Sequence, residues 1–328
     1  MHIFIGPIVG SIVALIGAYL WGGFAALWLA ALLSVLEVTL SFDNAVVNAK
    51  VLANMEEKWR RRFLTWGILV AVFGTRLVLP VLIVAIAAWV SPWAATLLAF
   101  NDPVAYGELL KHASPAILAF GGVFLLMVSL QYFFDTAKEV DWIASVERHM
   151  KRWGRIEAIE IALALMAILA LSYVAHAPQG LVLAAGVVGI VLFIAIQGLA
   201  NSLGQHRGDI ARSSAALFVY LNVLDAAFSL DGVVGAFAIT TQIIIIFIGL
   251  GIGAYFVRAI TLYLVRKRTL EHLPYLEHGA HWAILGLSLS MLVGLVYHVP
   301  EIITGLIGLV FVLFAYVSSR REMVRAKI

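Results

Sequence analysis

The chain is predicted to be an all-α, polytopic membrane protein of about ten transmembrane helices. They are expected to form two inverted five-helix repeats, each with a broken, acid-bearing helix. Three observations predict this. Apolar residues fill 63% of the 328 positions and charged ones only 12%, a balance foreign to soluble domains. The apolar residues fall in runs of about 20, the length that crosses a hydrocarbon core. One unusual stretch occurs twice, as Glu37-Val-Thr-Leu-Ser-Phe-Asp-Asn and as Asp225-Ala-Ala-Phe-Ser-Leu-Asp-Gly.

By length and hydropathy the spans lie near 3–20, 24–53, 64–90, 115–135, 156–174, 179–200, 213–240, 242–265, 280–297 and 301–319. The first run lacks a basic leader and a small-residue cleavage site, so it reads as a retained span. There are 22 lysines and arginines. Lys111 alone lies in an odd-numbered loop, and Lys50, Arg76 and Arg258 lie within spans. The others occupy even-numbered loops and the C-terminal tail. The positive-inside rule therefore places both termini in the cytoplasm; the inner membrane is the expected location. The basic balance is thus a topology signal and not a nucleic-acid footprint. The outer loop over 91–114 contains the turn signal Asn101-Asp102-Pro103. The stretch 136–155 is amphipathic and reads as a helix on the membrane surface, with a regulatory or partner surface as the alternative.

The two acidic stretches lie an odd number of spans apart, so they cross in opposite directions. Division near Pro178 gives repeats over 1–177 and 178–328, the inverted arrangement of secondary transporters with sites near the midplane. A carboxylate at membrane depth costs about 2.5–3.5 kcal/mol on insertion scales, and it marks ion paths and relays. Glu37 and Asp225 fall near the middle of their spans, with Asp43 and Asp231 six positions further on. Six positions turn an ideal helix to about 120° apart, so the two acids of a straight helix cannot face one point. Asn44 and Gly232 are poor helix formers. Breaks are therefore expected at 41–44 and 229–232, where freed carbonyls add ligands.

The candidate ligands are all oxygen: Glu37, Asp43, Asn44, Asp225 and Asp231, with Ser41, Ser229, Asn48 and Asn222 in support. Hard divalent cations such as magnesium, calcium and manganese choose such sets. There is no cysteine, and no histidine sits in the middle of an acid-bearing span, which argues against zinc and copper. Arg76 and Arg258 follow the acidic helices and read as charge partners or gates. They could instead pair with Glu37 and Asp225 simply to hold the bundle together, or form an anion site. His112, His176, His272, His278, His281 and His298 lie near span ends and read as solvated.

The run from Glu37 to Val47 resembles the first acidic motif of TerC-type membrane proteins, a family linked by name to tellurium resistance. Ser229 to Thr240 resembles their second motif. Phe73-Gly-Thr-Arg and Arg258-Ala-Ile-Thr-Leu-Tyr are similar to the arginine segments that follow each. The resemblance covers 37–80 and 220–265. It implies membership of the LysE-like transporter superfamily and manganese as the exported ion.

The expectation is a transporter and not an enzyme, with no catalytic residue and no prosthetic group. Manganese is the cargo, the bilayer and protons are the partners, nucleic acid is excluded, and oligomerisation is left open. No Gly-rich ATP motif is present, so metal would exchange for protons on the same acids. Two rival readings are an oxyanion transporter working through Arg76 and Arg258, and an assembly factor that delivers metal to secreted proteins. An intramembrane aspartyl protease does not fit the motif context.

Overall fold

The computed structural model describes residues 2–204 and 210–325. Arg207 and Lys327, counted among the basic residues above, fall outside them. The described residues form helices and connecting turns, without strands.

After a short turn at His2–Phe4, α1 (Ile5–Leu40) opens the chain. Gly22 and Gly23 leave helical geometry, Gly23 at φ 69°, and split α1 at the boundary expected between the first two spans. Only glycine adopts that conformation without strain. Next come α2 (Phe42–Ala53), α3 (Glu57–Leu69), a π-helical segment (Val70–Val78) and α4 (Leu79–Ala87). The loop expected over 91–114 is largely helical: α5 (Pro92–Asn101) is followed by α6 (Pro103–Phe134). Thus α6 starts well before the expected residue 115. Asp102 accepts from the Ala105 N–H at 3.0 Å and Pro103 stands at the first helical position, so the turn signal is also a helix start.

Then follow α7 (Ala144–Trp153), α8 (Ile159–Val174), α9 (Gln179–Gly204), α10 (Ile210–Ile239) and α11 (Ile243–Arg266). A short α12 (Thr269–His272), α13 (Leu276–Val293) and α14 (Glu301–Arg325) close the bundle. Among the described residues six helices are long and apolar enough to cross a membrane: α1, α6, α9, α10, α11 and α14. A seventh crossing is added if Glu57–Gly67 and Val72–Ile86, bent by 45°, act as one. The chain is a multi-pass, helical membrane protein.

The centre of the bundle is α6, whose residues from Gly121 to Leu130 are buried on every side. A helix apolar all round belongs in such a place. It packs against α9 and α13 most extensively and also meets α10 and α8. The second half of α1 and all of α2 lie along α11, while α10 lies along the π-helical segment and α3. Each acid-bearing helix thus packs on elements from the other half of the chain.

One expected break is present. Ser41 (φ −103°, ψ 14°) separates α1 from α2. The other is absent: α10 runs unbroken through 229–232. The cost of a helical glycine, about 1 kcal/mol against alanine, is small beside packing. Gly232 serves instead as a close-approach point: a Cβ there would stand 3.0 Å from Glu37 Oε2.

The amphipathic stretch is also corrected. Only Ala144–Trp153 is helical, and Glu147 on it is fully buried against the bundle. Val146 and Trp153 remain exposed.

Candidate functional site

The Ser41 break places Asp43 in the first turn of α2, where the positive end of the helix favours a carboxylate. The Asn44 N–H donates to Asp43 Oδ1 at 2.9 Å. Asp43 Oδ2 points towards α14, 4.0 Å from where a Cβ on Gly308 would stand. Glu37, Asp43 and Asn44 are 2%, 3% and 2% exposed.

Glu37 sits one turn before the break. It accepts from Ser41 Oγ at 2.9 Å and forms an ion pair with Arg76. Its stem lies against Gly253 of α11, where any Cβ would collide with it. Arg76 reaches Glu37 from the π-helical segment and also donates to Thr75 Oγ1 at 3.3 Å. A π-helical register is rare and is frequently found at functional sites. Neither it nor buried Thr75 was anticipated, although both lie in the Phe73-Gly-Thr-Arg run.

Asp225 lies on α10, where Asn44 Nδ2 donates to its Oδ1 at 2.8 Å. A carboxylate only accepts, so the amide's orientation is fixed and Asn44 Oδ1 is turned away. That oxygen has no partner among the described residues, nor do Asn48 Oδ1 and Ser229 Oγ. Spacing of four puts Asn48 on the face of Asn44, and Ser229 on the face of Asp225. The seam between α2 and α10 thus carries three buried, unsatisfied oxygens around one bridged carboxylate. Each unsatisfied group costs about 1–3 kcal/mol. Among the described residues neither Asp43 nor Asp225 has an ion-pair partner within 4.0 Å.

The remaining candidates are placed as follows. Asn222 donates to the Phe218 carbonyl of its own helix at 2.7 Å, so its amide N–H is spent on the backbone. Asp231 follows Leu230 on α10, and its side chain lies outside the described residues. Arg258 does not mirror Arg76. It donates to the Phe63 carbonyl and lies 3.6 Å over the Phe63 ring, packed on Gly67. Asp225 is near enough for its charge to bear on Arg258 without an ion pair.

The structure therefore gathers the candidates into two groups. One is Glu37, Ser41 and Arg76; the other is Asn44 and Asp225, with Asp43 beside it in sequence. Among the described residues no three His, Asp or Glu side chains converge closely enough to hold a metal ion.

His278 and His281, expected to be solvated, are 3% and 8% exposed. His278 Nδ1 lies 2.8 Å from Glu147 Oε2, and that carboxylate also takes Lys138 Nζ at 2.8 Å and Trp282 Nε1 at 3.0 Å. Glu147 is remote in sequence from His278, so no local signal announces that pairing.

No curated protein and no solved structure matches the chain. Residues 42–326 match the family model described as "Protein of unknown function (DUF475)", and the chain belongs to that family.

Proposed function

We propose that this protein is a membrane transporter that exports a divalent cation, with manganese the cargo singled out by the likeness to TerC-type motifs. The observation that carries this reading is the α2–α10 seam. There Asp225 is bridged by Asn44, and the orphan oxygens of Asn44, Asn48 and Ser229 are buried in an apolar bundle. Amide and hydroxyl oxygens left without a protein partner are ligands that a hard cation takes.

In this reading the cation is held by Asp225, Asn44 and Asp43. Glu37 and Asp231 join when the two halves move. Glu37 is already charge-compensated by Arg76, so its recruitment requires that ion pair to open. Arg76 is then a tethered counter-cation that occupies Glu37 while metal is away. Arg76 is engaged with Glu37 and Arg258 with the Phe63 carbonyl, although Arg258 Nε has no hydrogen-bond partner among the described residues; the engaged ends favour a cation over an oxyanion as cargo.

The mechanism we envisage is alternating access of two inverted five-helix halves with about ten crossings. Reciprocal packing supports it, α1 and α2 on α11 and α10 on the π-helical segment. Proton exchange on the same acids would drive export, with both termini in the cytoplasm of an inner-membrane protein. Purified protein in liposomes, loaded with a manganese-quenched dye, tests the reading. Manganese flux dependent on a proton gradient is expected. Absence of flux for manganese, magnesium and calcium alike would overturn it.

A further inference from the structure

At the end of the bundle where α6 finishes, a cavity of about 490 Å³ opens between α6, α8, α10 and α13. It is lined by Gln131, Tyr132, Asp135, Glu160, Tyr220 and His281 among others. Basic residues crowd this end: Lys138, Arg148, Lys151, Arg152 and Arg155 all lie in the segment joining α6 to α8. None of them lines the cavity, although Lys138 Nζ lies 5.0 Å over the ring of Tyr132 on its wall. The charged lining residues themselves are two carboxylates, Asp135 and Glu160.

His281 fixes its chemistry. The ring is 8% exposed and stacks on Tyr132, with centroids 3.7 Å apart and planes 6° from parallel. Its Nδ1 lies 2.9 Å from the Glu277 carbonyl oxygen. A carbonyl only accepts, so Nδ1 bears the proton and Nε2 bears a lone pair. Nε2 has no partner among the described residues. Because Nδ1 is turned to the backbone of α13, the outer edge carrying Nε2 is the part left to face the cavity. Glu160, in the first turn of α8, makes no ion pair or hydrogen bond among the described residues. Asp135 spends Oδ1 on the Ala137 N–H at 2.8 Å and keeps Oδ2. The charged groups on the wall are the carboxylates of Asp135 and Glu160, and the His281 lone pair joins them, beside the hydroxyls of Tyr132 and Tyr220 and the amide of Gln131.

We propose that this cavity binds a divalent cation together with its water shell, through the carboxylates of Asp135 and Glu160 and the Nε2 lone pair of His281. Among the described residues no three acidic or histidine side chains converge as direct ligation of a bare ion would need. Six waters at about 30 Å³ each need about 180 Å³, which the cavity accommodates. Hard cations that dehydrate reluctantly bind in this outer-sphere manner. The site is distinct from the α2–α10 seam and does not depend on the transport reading.

The test is manganese chloride binding to the full-length protein in detergent, followed by loss of the free-ion electron paramagnetic resonance signal. A background of Asp43→Asn with Asp225→Asn removes both carboxylates of the seam. Binding that persists there, weakens at least about tenfold on adding Asp135→Asn and Glu160→Gln, and is displaced by hexaamminecobalt(III) is the expected result; tenfold corresponds to about 1.4 kcal/mol. Hexaamminecobalt(III) has the size of a hydrated ion and cannot lose its ligands, so it competes only at an outer-sphere site. Asp135 is exposed, so Asp135→Asn alone serves if the combined variant does not fold. Unchanged affinity in the cavity variants, or no displacement by the ammine complex, would overturn the proposal. Loss of flux in liposomes with cavity binding intact would overturn the transport reading alone.

Discussion

Asn44 and Asp225 are 181 positions apart, yet the amide of one donates to the carboxylate of the other at 2.8 Å in the interior of the bundle. This bond joins the helix after the Ser41 break to the helix that continues through Gly232. It also decides which oxygen of Asn44 is left over. Asn44→Ala removes the only side-chain donor to Asp225 seen among the described residues. The expected cost is about 1–3 kcal/mol of stability, the penalty of a buried acceptor left unmade. Manganese should restore part of it. Thermal unfolding in detergent with and without manganese checks this; a variant as stable as the parent would show that the bond is incidental.

Asp43→Asn keeps the shape of the side chain and the helix start but removes the charge. In the proposed mechanism flux in liposomes should fall to background while the protein remains monodisperse. Asp231→Asn should do the same. Flux retained in either variant removes that residue from the ligand set.

How much of this site was legible in the chain is clear from two positions. The break at Ser41 was readable, because local residues disfavour a helix and nothing overrides them. At Gly232 the same argument failed. That glycine answers a demand from another helix, namely room for the Glu37 carboxylate, and no window of local sequence contains that demand. The π-helical register over Val70–Val78 was likewise invisible, since a shift in backbone pairing has no residue code. The membrane character and helical segments were readable from hydropathy alone. The pairing of His278 with Glu147, 131 positions away, was not.

Arg76 and Glu37 have side chains 4% and 2% exposed. Removing one member of a buried ion pair leaves an uncompensated charge, which costs about 3–5 kcal/mol. Arg76→Ala should therefore be strongly destabilised and Glu37→Gln less so, because glutamine still accepts from Ser41. Combining Glu37→Gln with Arg76→Gln should recover part of the loss. A double-mutant cycle on thermal stability measures the coupling. Additive losses would mean that the two side chains do not act as a pair.

Glu147 ties α7 to α13 and offers a pH-dependent test away from the candidate spans. Burial alone would raise its pKa, but hydrogen bonds from His278, Lys138 and Trp282 and the charge of His278 outweigh burial. They hold it well below the ordinary carboxylate value of 4.5. The backbone N–H groups of Trp142 and Ile143 add to the set, each at 3.2 Å, with Asp141 and Arg148 close by. A carboxyl whose folded pKa is depressed stabilises the fold fully above its unfolded pKa. That stability is lost progressively as pH falls below it, because the unfolded chain takes up the proton first. The thermal midpoint should hold steady near neutrality and drop as pH falls through about 4.5 towards the lower folded value. Glu147→Gln should lower the midpoint at neutral pH and flatten that acid limb. It should also raise amide exchange across 135–158, since Lys138, Trp142 and Ile143 all lose their shared anchor. An acid limb of unchanged slope in Glu147→Gln would assign the pH dependence to other carboxylates.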